Sequence, residues 1–170
     1  STSICEVFEG YTLFTESLET SSIITGYSTK LIDNNYNIIN EWLSTQSPAS
    51  MAYLLPDSTL IYPCRQESLI LESSAIGGRI IKYNWDGDIL WDWSCTEDYQ
   101  LHHDIQPIEN GNILAIAMEK ISEDVLSDVI LEIRPSGFNS AEIVWEWHVW
   151  DHLGSNNPYK FDQDVPYDKI

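Results

Sequence analysis

The stretch Lys82-Tyr-Asn-Trp-Asp-Gly-Asp-Ile-Leu-Trp-Asp-Trp93 decides the fold. Asp86-Gly87 supplies the positive φ that a tight hairpin turn requires. After it, Ile89, Trp91 and Trp93 alternate with Leu90, Asp92 and Ser94, the period of two of a half-buried strand. The same shape precedes it in Leu31-Ile-Asp-Asn-Asn-Tyr-Asn-Ile-Ile-Asn-Glu-Trp42 and follows it, with a longer Ser136-Gly137 turn, between Val129 and Trp147. Trp42, Trp93 and Trp147 therefore mark a repeat, at spacings of 51 and 54 residues.

A second hairpin follows each of the first two. Tyr53-Leu-Leu-Pro-Asp-Ser-Thr-Leu-Ile61 matches Gln106-Pro-Ile-Glu-Asn-Gly-Asn-Ile-Leu114, with Leu55 over Ile108 and Leu60 over Ile113. Four short strands per unit of about fifty residues is the pattern of a β-propeller blade. The expected structure is all-β, with radially arranged sheets built from residues 28–64, 78–118 and 128–150. Residues 1–27 read as a segment leading into the propeller, 28–153 as two to three blades, and 154–170 as a loop towards further blades. An open last sheet exposes an edge and an apolar face, which natural folds avoid, so the propeller is expected to be incomplete in this chain. No segment carries a 3.6-residue apolar stripe, and Ile121 to Ser127 makes one helical turn at most.

Composition narrows the class of partner. A chain of 170 residues can bury a sizeable core. Seven Trp and nine Tyr against four Phe suit strands and half-wet surfaces. No apolar run approaches the length of a membrane span. Eight Lys and Arg against 27 Asp and Glu give a net charge of −19, a field that repels nucleic acid and anionic membrane faces. That charge suits a saline or extracellular setting, although no signal peptide is visible from Ser1. Cys5, Cys64 and Cys95 have no CxxC spacing. Cys64 and Cys95 fall at strand ends of consecutive units and are expected on adjacent strands, bonded in an oxidising compartment or free.

The four histidines are grouped. His102 and His103, followed by Asp104, open the second hairpin of the middle unit, and His148 and His152 lie in Trp147-His-Val-Trp-Asp-His152. Aligned on Leu55 and Ile108, His102 and His103 replace Ala49 and Ser50, so folding the repeat does not require them. In a propeller the innermost strand lines the central channel, and alternation sends only one of the two imidazoles into it. Asp104 is placed to orient an imidazole, as carboxylates do in acid–base sites. His148 reads as capping its strand, beside Trp145, Trp147 and Trp150 read as mainly core. His152 leaves for a loop, where function tends to live. No ligand spacing supports a metal site.

Gly10-Tyr-Thr-Leu-Phe14, Leu31-Ile-Asp33, Tyr53-Leu-Leu-Pro-Asp57, Trp85-Asp-Gly87, His102-His-Asp-Ile105, Asn110-Gly-Asn-Ile-Leu114 and Trp145-Glu-Trp-His-Val-Trp-Asp-His-Leu153 occur in this order. Together, over residues 10 to 153, they resemble the N-terminal half of bacterial arylsulfotransferases. The resemblance implies a six-bladed, secreted or periplasmic propeller. Without a cofactor, it moves a sulfuryl group from an aryl sulfate donor to a phenolic acceptor. It implies a channel histidine as nucleophile, with His103 or His102 the candidates here, and leaves open which one. Asp104, His152 and His148 are the candidates for substrate contact. The family's sulfate-binding arginine is expected in the remaining blades, since Arg79 and Arg134 sit in outer hairpins. The alternative is a non-catalytic secreted propeller that binds carbohydrate or a surface, because fold alone does not set function.

Overall fold

The computed structural model describes residues 8–66, 76–123 and 125–154. Eleven strands account for most of them: β1 (Tyr11–Thr20), β2 (Ile23–Asp33), β3 (Ile38–Ser44), β4 (Tyr53–Leu54), β5 (Leu60–Arg65), β6 (Gly78–Tyr83), β7 (Ile89–Ser94), β8 (Tyr99–Pro107), β9 (Ile113–Ser122), β10 (Val125–Ser136) and β11 (Ser140–His148). One short helix, α1 (Val149–His152), follows. All pairings are antiparallel and make three sheets: β1-β2-β3, β4-β5-β6-β7 and β8-β9-β10-β11.

The expected turns form as local chemistry requires. Gly87, Gly111 and Gly137 all take positive φ at the hairpin tips. In the deciding stretch, Asp88 N–H donates to Asn84 Oδ1 at 2.8 Å and Gly87 N–H to the Asn84 carbonyl at 3.3 Å. Tyr36 and Ser58 fill the same left-handed role where no glycine is present.

Fold class is as the repeat indicates, but its phase differs. Each outer hairpin was expected to join the inner hairpin that follows it, giving sheets over 28–64, 78–118 and 128–150. Instead β4 and β5 join β6 and β7, and β8 and β9 join β10 and β11. A sequence period does not state where a unit starts. The long link between β5 and β6 stays within one sheet, whereas the short link from β7 to β8 crosses to the next. The segment before residue 28 carries β1 and part of β2, and where one helical turn at most was expected, Ser122 and Val125 pair as the ends of β9 and β10. Residues 155–170 and Cys5 lie outside the described residues.

The sheets stack in chain order, the middle one covered on both faces. Leu31 and Trp42 of the first sheet pack with Leu60, Tyr62, Ile81 and Tyr83 of the second. On the other face, Ile61, Ile80, Trp91 and Trp93 pack with residues of the third sheet that include Leu101, Ala117, Val129 and Leu131. Polar bonds register these interfaces. Trp42 Nε1–H donates to the Asn84 carbonyl at 2.8 Å, and Asn40 Nδ2–H to the Trp85 carbonyl at 2.7 Å. One interface later, Trp91 Nε1–H donates to the Ser140 carbonyl at 2.8 Å. A strand of each sheet thus grips the outer turn of the next.

Trp145, the counterpart of Trp91, is 47% exposed, because no described element covers that face. Trp147 and Trp150 are half-buried, so none of the three tryptophans expected in the core, Trp145, Trp147 and Trp150, is enclosed by the described residues. Cys64 and Cys95 are corrected as well. Both are buried and free, and β6 lies between their strands: Cys64 pairs with Arg79, which pairs with Ser94. Strands two places apart in a sheet are separated by about 10 Å, too far for a disulfide. Gly78 keeps this corner close-packed: at φ +123 it has no room for a Cβ, which would sit 2.9 Å from Gln100 Nε2 and 3.3 Å from Cys95 Sγ.

Two outcomes follow from this packing. Trp91→Phe loses the indole bond and opens a void, and is expected to cost about 2 kcal/mol in urea unfolding, against under about 0.5 kcal/mol for Trp145→Phe. Burial pushes the Cys64 thiol up to about 12 and raises that of Cys95. Neither is therefore expected to react with a thiol reagent at neutral pH until the chain is unfolded, and oxidation should not link them.

Candidate active site

Three of the five candidate residues lie together on β8, the edge strand of the third sheet. Leu101 pairs with Ala117 and Ile105 with Ala115, so His102, His103 and Asp104 together oppose the single residue Ile116. The strand absorbs the surplus as a bulge, with His103 in the left-handed region at φ +57. Simple alternation, which separates the two imidazoles onto opposite faces, is thereby broken. The ring centroids are 4.9 Å apart, and Nδ1 of His102 lies 2.7 Å from Nδ1 of His103.

The carboxylate that orients the pair is Asp128, which the sequence reading missed. Its Oδ1 lies 3.2 Å from His102 Nε2, reached from β10 across β9. Nothing in the sequence near Asp128 marks it, since its approach depends on strand order. Asp104, expected to hold an imidazole, is engaged elsewhere. Its Oδ1 accepts the Ile105 N–H at 2.9 Å and its Oδ2 accepts the Tyr53 hydroxyl at 2.9 Å.

These contacts restrict the tautomers. An ionised Asp128 can only accept, so His102 donates from Nε2. A neutral His102 then accepts at Nδ1, and His103 must donate from its own Nδ1. His103 Nε2 is left with its lone pair. His102 is buried at 6% exposure whereas His103 is exposed, so the end of the chain that carries the lone pair is the accessible one.

The bulge faces the preceding sheet. Ile76 bridges to His102, and Gly77 N–H donates to the Leu101 carbonyl at 2.8 Å. A cleft of about 10 Å³, one water in size, lies there between Ala49, Ser50, Pro63, Gly77, His102 and His103. Ser50 Oγ is buried without a partner among the described residues. A larger cleft of about 560 Å³ opens farther along the same seam, between the turns that follow β4 and β8, and none of the candidate residues lines it.

The structure does not bring His148 and His152 to this cluster. His148 ends β11, three strands from β8, a backbone separation of roughly 14 Å at ordinary strand spacing. Its Nδ1 lies 2.8 Å from Glu119 Oε1 and its Nε2 lies 3.5 Å from Glu146 Oε1, while Tyr99 donates to Glu146 Oε2 at 3.0 Å. His152 stacks on Trp147 in α1, with ring centroids 4.5 Å apart. Arg79 forms a two-pronged bond to Asp92 and Arg134 pairs with Glu142, so neither cation is available to an anion. Among the described residues, no three His, Cys, Asp or Glu side chains converge as a metal would need.

The family model described as arylsulfotransferase (ASST) matches residues 29–169. The chain belongs to the arylsulfotransferase family. The match runs from within β2 through both four-stranded sheets and takes in every candidate residue. Membership brings the general activity of the family, sulfuryl transfer between an aryl sulfate and a phenol. No curated protein matches this arylsulfotransferase chain.

His148 gives the site's surroundings a pH dependence. The Glu119 carboxylate raises its pKa above the ordinary 6.5, against a smaller opposing effect of burial. A histidine with a raised folded-state pKa stabilises the fold fully below its unfolded value, and that contribution fades as pH rises through the folded value. Unfolding measured from pH 5 to 9 is expected to show this decline, and His148→Gln to remove it.

Proposed function

We propose that the chain carries the sulfuryl-accepting nucleophile of an aryl sulfotransferase, and that this nucleophile is His103 Nε2. The observation that supports it is the ordered contact Asp128–His102–His103, which leaves an exposed imidazole lone pair at the end of a buried, carboxylate-anchored relay. Imidazole is a competent nucleophile near neutral pH, and a hydrogen-bonded base activates it further.

The lone pair of Nε2 attacks sulfur, forming an N–S bond as the bond from sulfur to the aryl oxygen breaks. The electrons of that bond leave with the phenolate. Sulfation makes His103 Nδ1–H more acidic, and the proton passes to His102 Nδ1. The resulting imidazolium faces the Asp128 carboxylate. In the second half-reaction the oxygen of the acceptor phenol attacks sulfur, the N–S electrons return to Nε2, and the proton returns from His102 to His103 Nδ1. The acceptor's own proton goes to solvent, balancing the one taken up by the leaving phenolate.

A sulfuryl group in flight carries negative charge on its oxygens and needs donors around it. Arg79 and Arg134 are both paired with carboxylates, so those donors are assigned to further blades of a larger, secreted or periplasmic propeller. The channel of that propeller would be lined by β4, β8 and their equivalents.

The test is transfer from an aryl sulfate to phenol by the whole protein that contains this chain. His103→Ala is expected to lower turnover at least about a hundredfold, the low end for a positioned acid–base or nucleophilic group. His102→Ala and Asp128→Asn should each lower it while leaving donor KM little changed. After mixing with donor alone, mass spectrometry should find a sulfuryl adduct on the peptide carrying His103. Full activity of folded His103→Ala overturns the assignment. Transfer by the 170-residue chain alone overturns the assignment of the anion's donors to further blades.

A further inference from the structure

The place where the histidine strand leaves its ladder recurs in the second sheet, although of the two segments only the one with His103 takes a left-handed φ. Pro48 bridges to Cys64 and Tyr53 pairs with Ile61, just as Leu101 pairs with Ala117 and Gln106 with Leu114. The inner strands of both four-stranded sheets therefore leave their ladders at the same height. In the second sheet the displaced residues are Ala49, Ser50 and Met51, and no charged side chain is among them. In the third sheet they are His102, His103 and Asp104, and here a side chain from the other sheet is tied in. Tyr53, on β4, donates its hydroxyl to Asp104 Oδ2 while Asp104 Oδ1 holds the Ile105 N–H.

A residue with a Cβ does not adopt a left-handed φ without support. If His103 relaxed to extended backbone, alternation would carry its ring to the face opposite His102 and break the 2.7 Å contact. Asp104 is the next residue in the chain, and both its oxygens are engaged. We infer that Tyr53 is a positioning residue: across the boundary between sheets it fixes Asp104, and through Asp104 the left-handed turn that lays His103 against His102. The catalytic consequence rests on the reading of His103 as the sulfuryl acceptor; the positioning itself does not. The tyrosine suits the task because its ring is rigid and its hydroxyl stays protonated. Burial, and then Asp104, push that hydroxyl up to about 12, so it remains a donor at neutral pH.

Tyr53→Phe keeps the ring and removes only the donor. In the whole protein it is expected to lower turnover about tenfold to a hundredfold, the scale of a misplaced reacting group, with donor KM little changed. Histidine-selective ¹⁵N spectra should show His103 changing from one tautomer, protonated at Nδ1, to an averaged pattern, while the melting midpoint stays in place. Asp104→Ala should have the same two effects, and adding Tyr53→Phe to it should change neither further, because the tyrosine acts through that carboxylate. Wild-type turnover and an unchanged His103 spectrum in Tyr53→Phe overturn the inference. So does a loss of turnover that only tracks a lowered melting midpoint while the His103 spectrum is unchanged. If folded His103→Ala retains activity, the sulfuryl reading fails instead, and the ¹⁵N spectrum of Tyr53→Phe still decides whether the tyrosine holds the ring.

Discussion

Trp42 and Trp91 each send an indole N–H from one sheet to a carbonyl at the tip end of an outer hairpin on the next, and the rest of the structure depends on that contact. Each indole covers apolar surface with its ring and satisfies its one donor on the neighbour's backbone, which lets a large polar-tipped side chain be fully buried. A bond to such a carbonyl also sets how far one sheet is displaced along the next. A sheet with apolar residues on both faces must be covered on both, and serial stacking in chain order does this for the middle sheet. Trp145, which holds the place of Trp91 in the last described sheet, shows the converse and stays half in solvent.

Each open sheet leaves its two edge strands without a full ladder on the outer side; β8 meets the preceding sheet there only through the Ile76–His102 bridge and the Gly77 N–H bond to the Leu101 carbonyl. A bulge costs least on such a strand, since no second set of ladder bonds is broken. The place where β4 and β8 leave their ladders is therefore a property of the scaffold, repeated in both four-stranded sheets. The histidines are confined to one of them. Only in the third sheet does the bulge present imidazoles, and only there does a carboxylate two strands away, Asp128, come within reach of the buried ring.

For a cluster proposed to handle an anion, the surrounding electrostatics are unusual. The chain is strongly acidic, and of its strand arginines Arg79 and Arg134 are already committed to Asp92 and Glu142. Under the proposed reading, the histidine cluster would supply a nucleophile and a path for one proton, while Arg79 and Arg134 stay with their carboxylates. That division follows from the fold. Neighbouring strand positions within a blade favour cross-strand ion pairs, which neutralise cations. A channel lined by several blades allows charged groups from distant parts of a chain to converge without pairing first.

Much of this was legible in the residues themselves. Alternating Ile89, Trp91 and Trp93 behind an Asp-Gly turn specify a hairpin by local sterics and burial alone, and recurrence of that pattern specifies blades. The histidine pair stood out because Ala49 and Ser50 occupy its place in the preceding repeat. Local rules, however, act over a few residues. They do not say which hairpins share a sheet, so the phase of the blades was misjudged and Cys64 and Cys95 were placed on adjacent strands, although β6 separates them. Nor do they foresee a bulge, which overturns alternation and brings His102 and His103 together. The identities of Asp128 and Tyr53 as neighbours of the site were decided only by tertiary structure. One is reached across a strand and the other across a sheet boundary, and contacts of that range depend on strand order and stacking rather than on spacing along the chain.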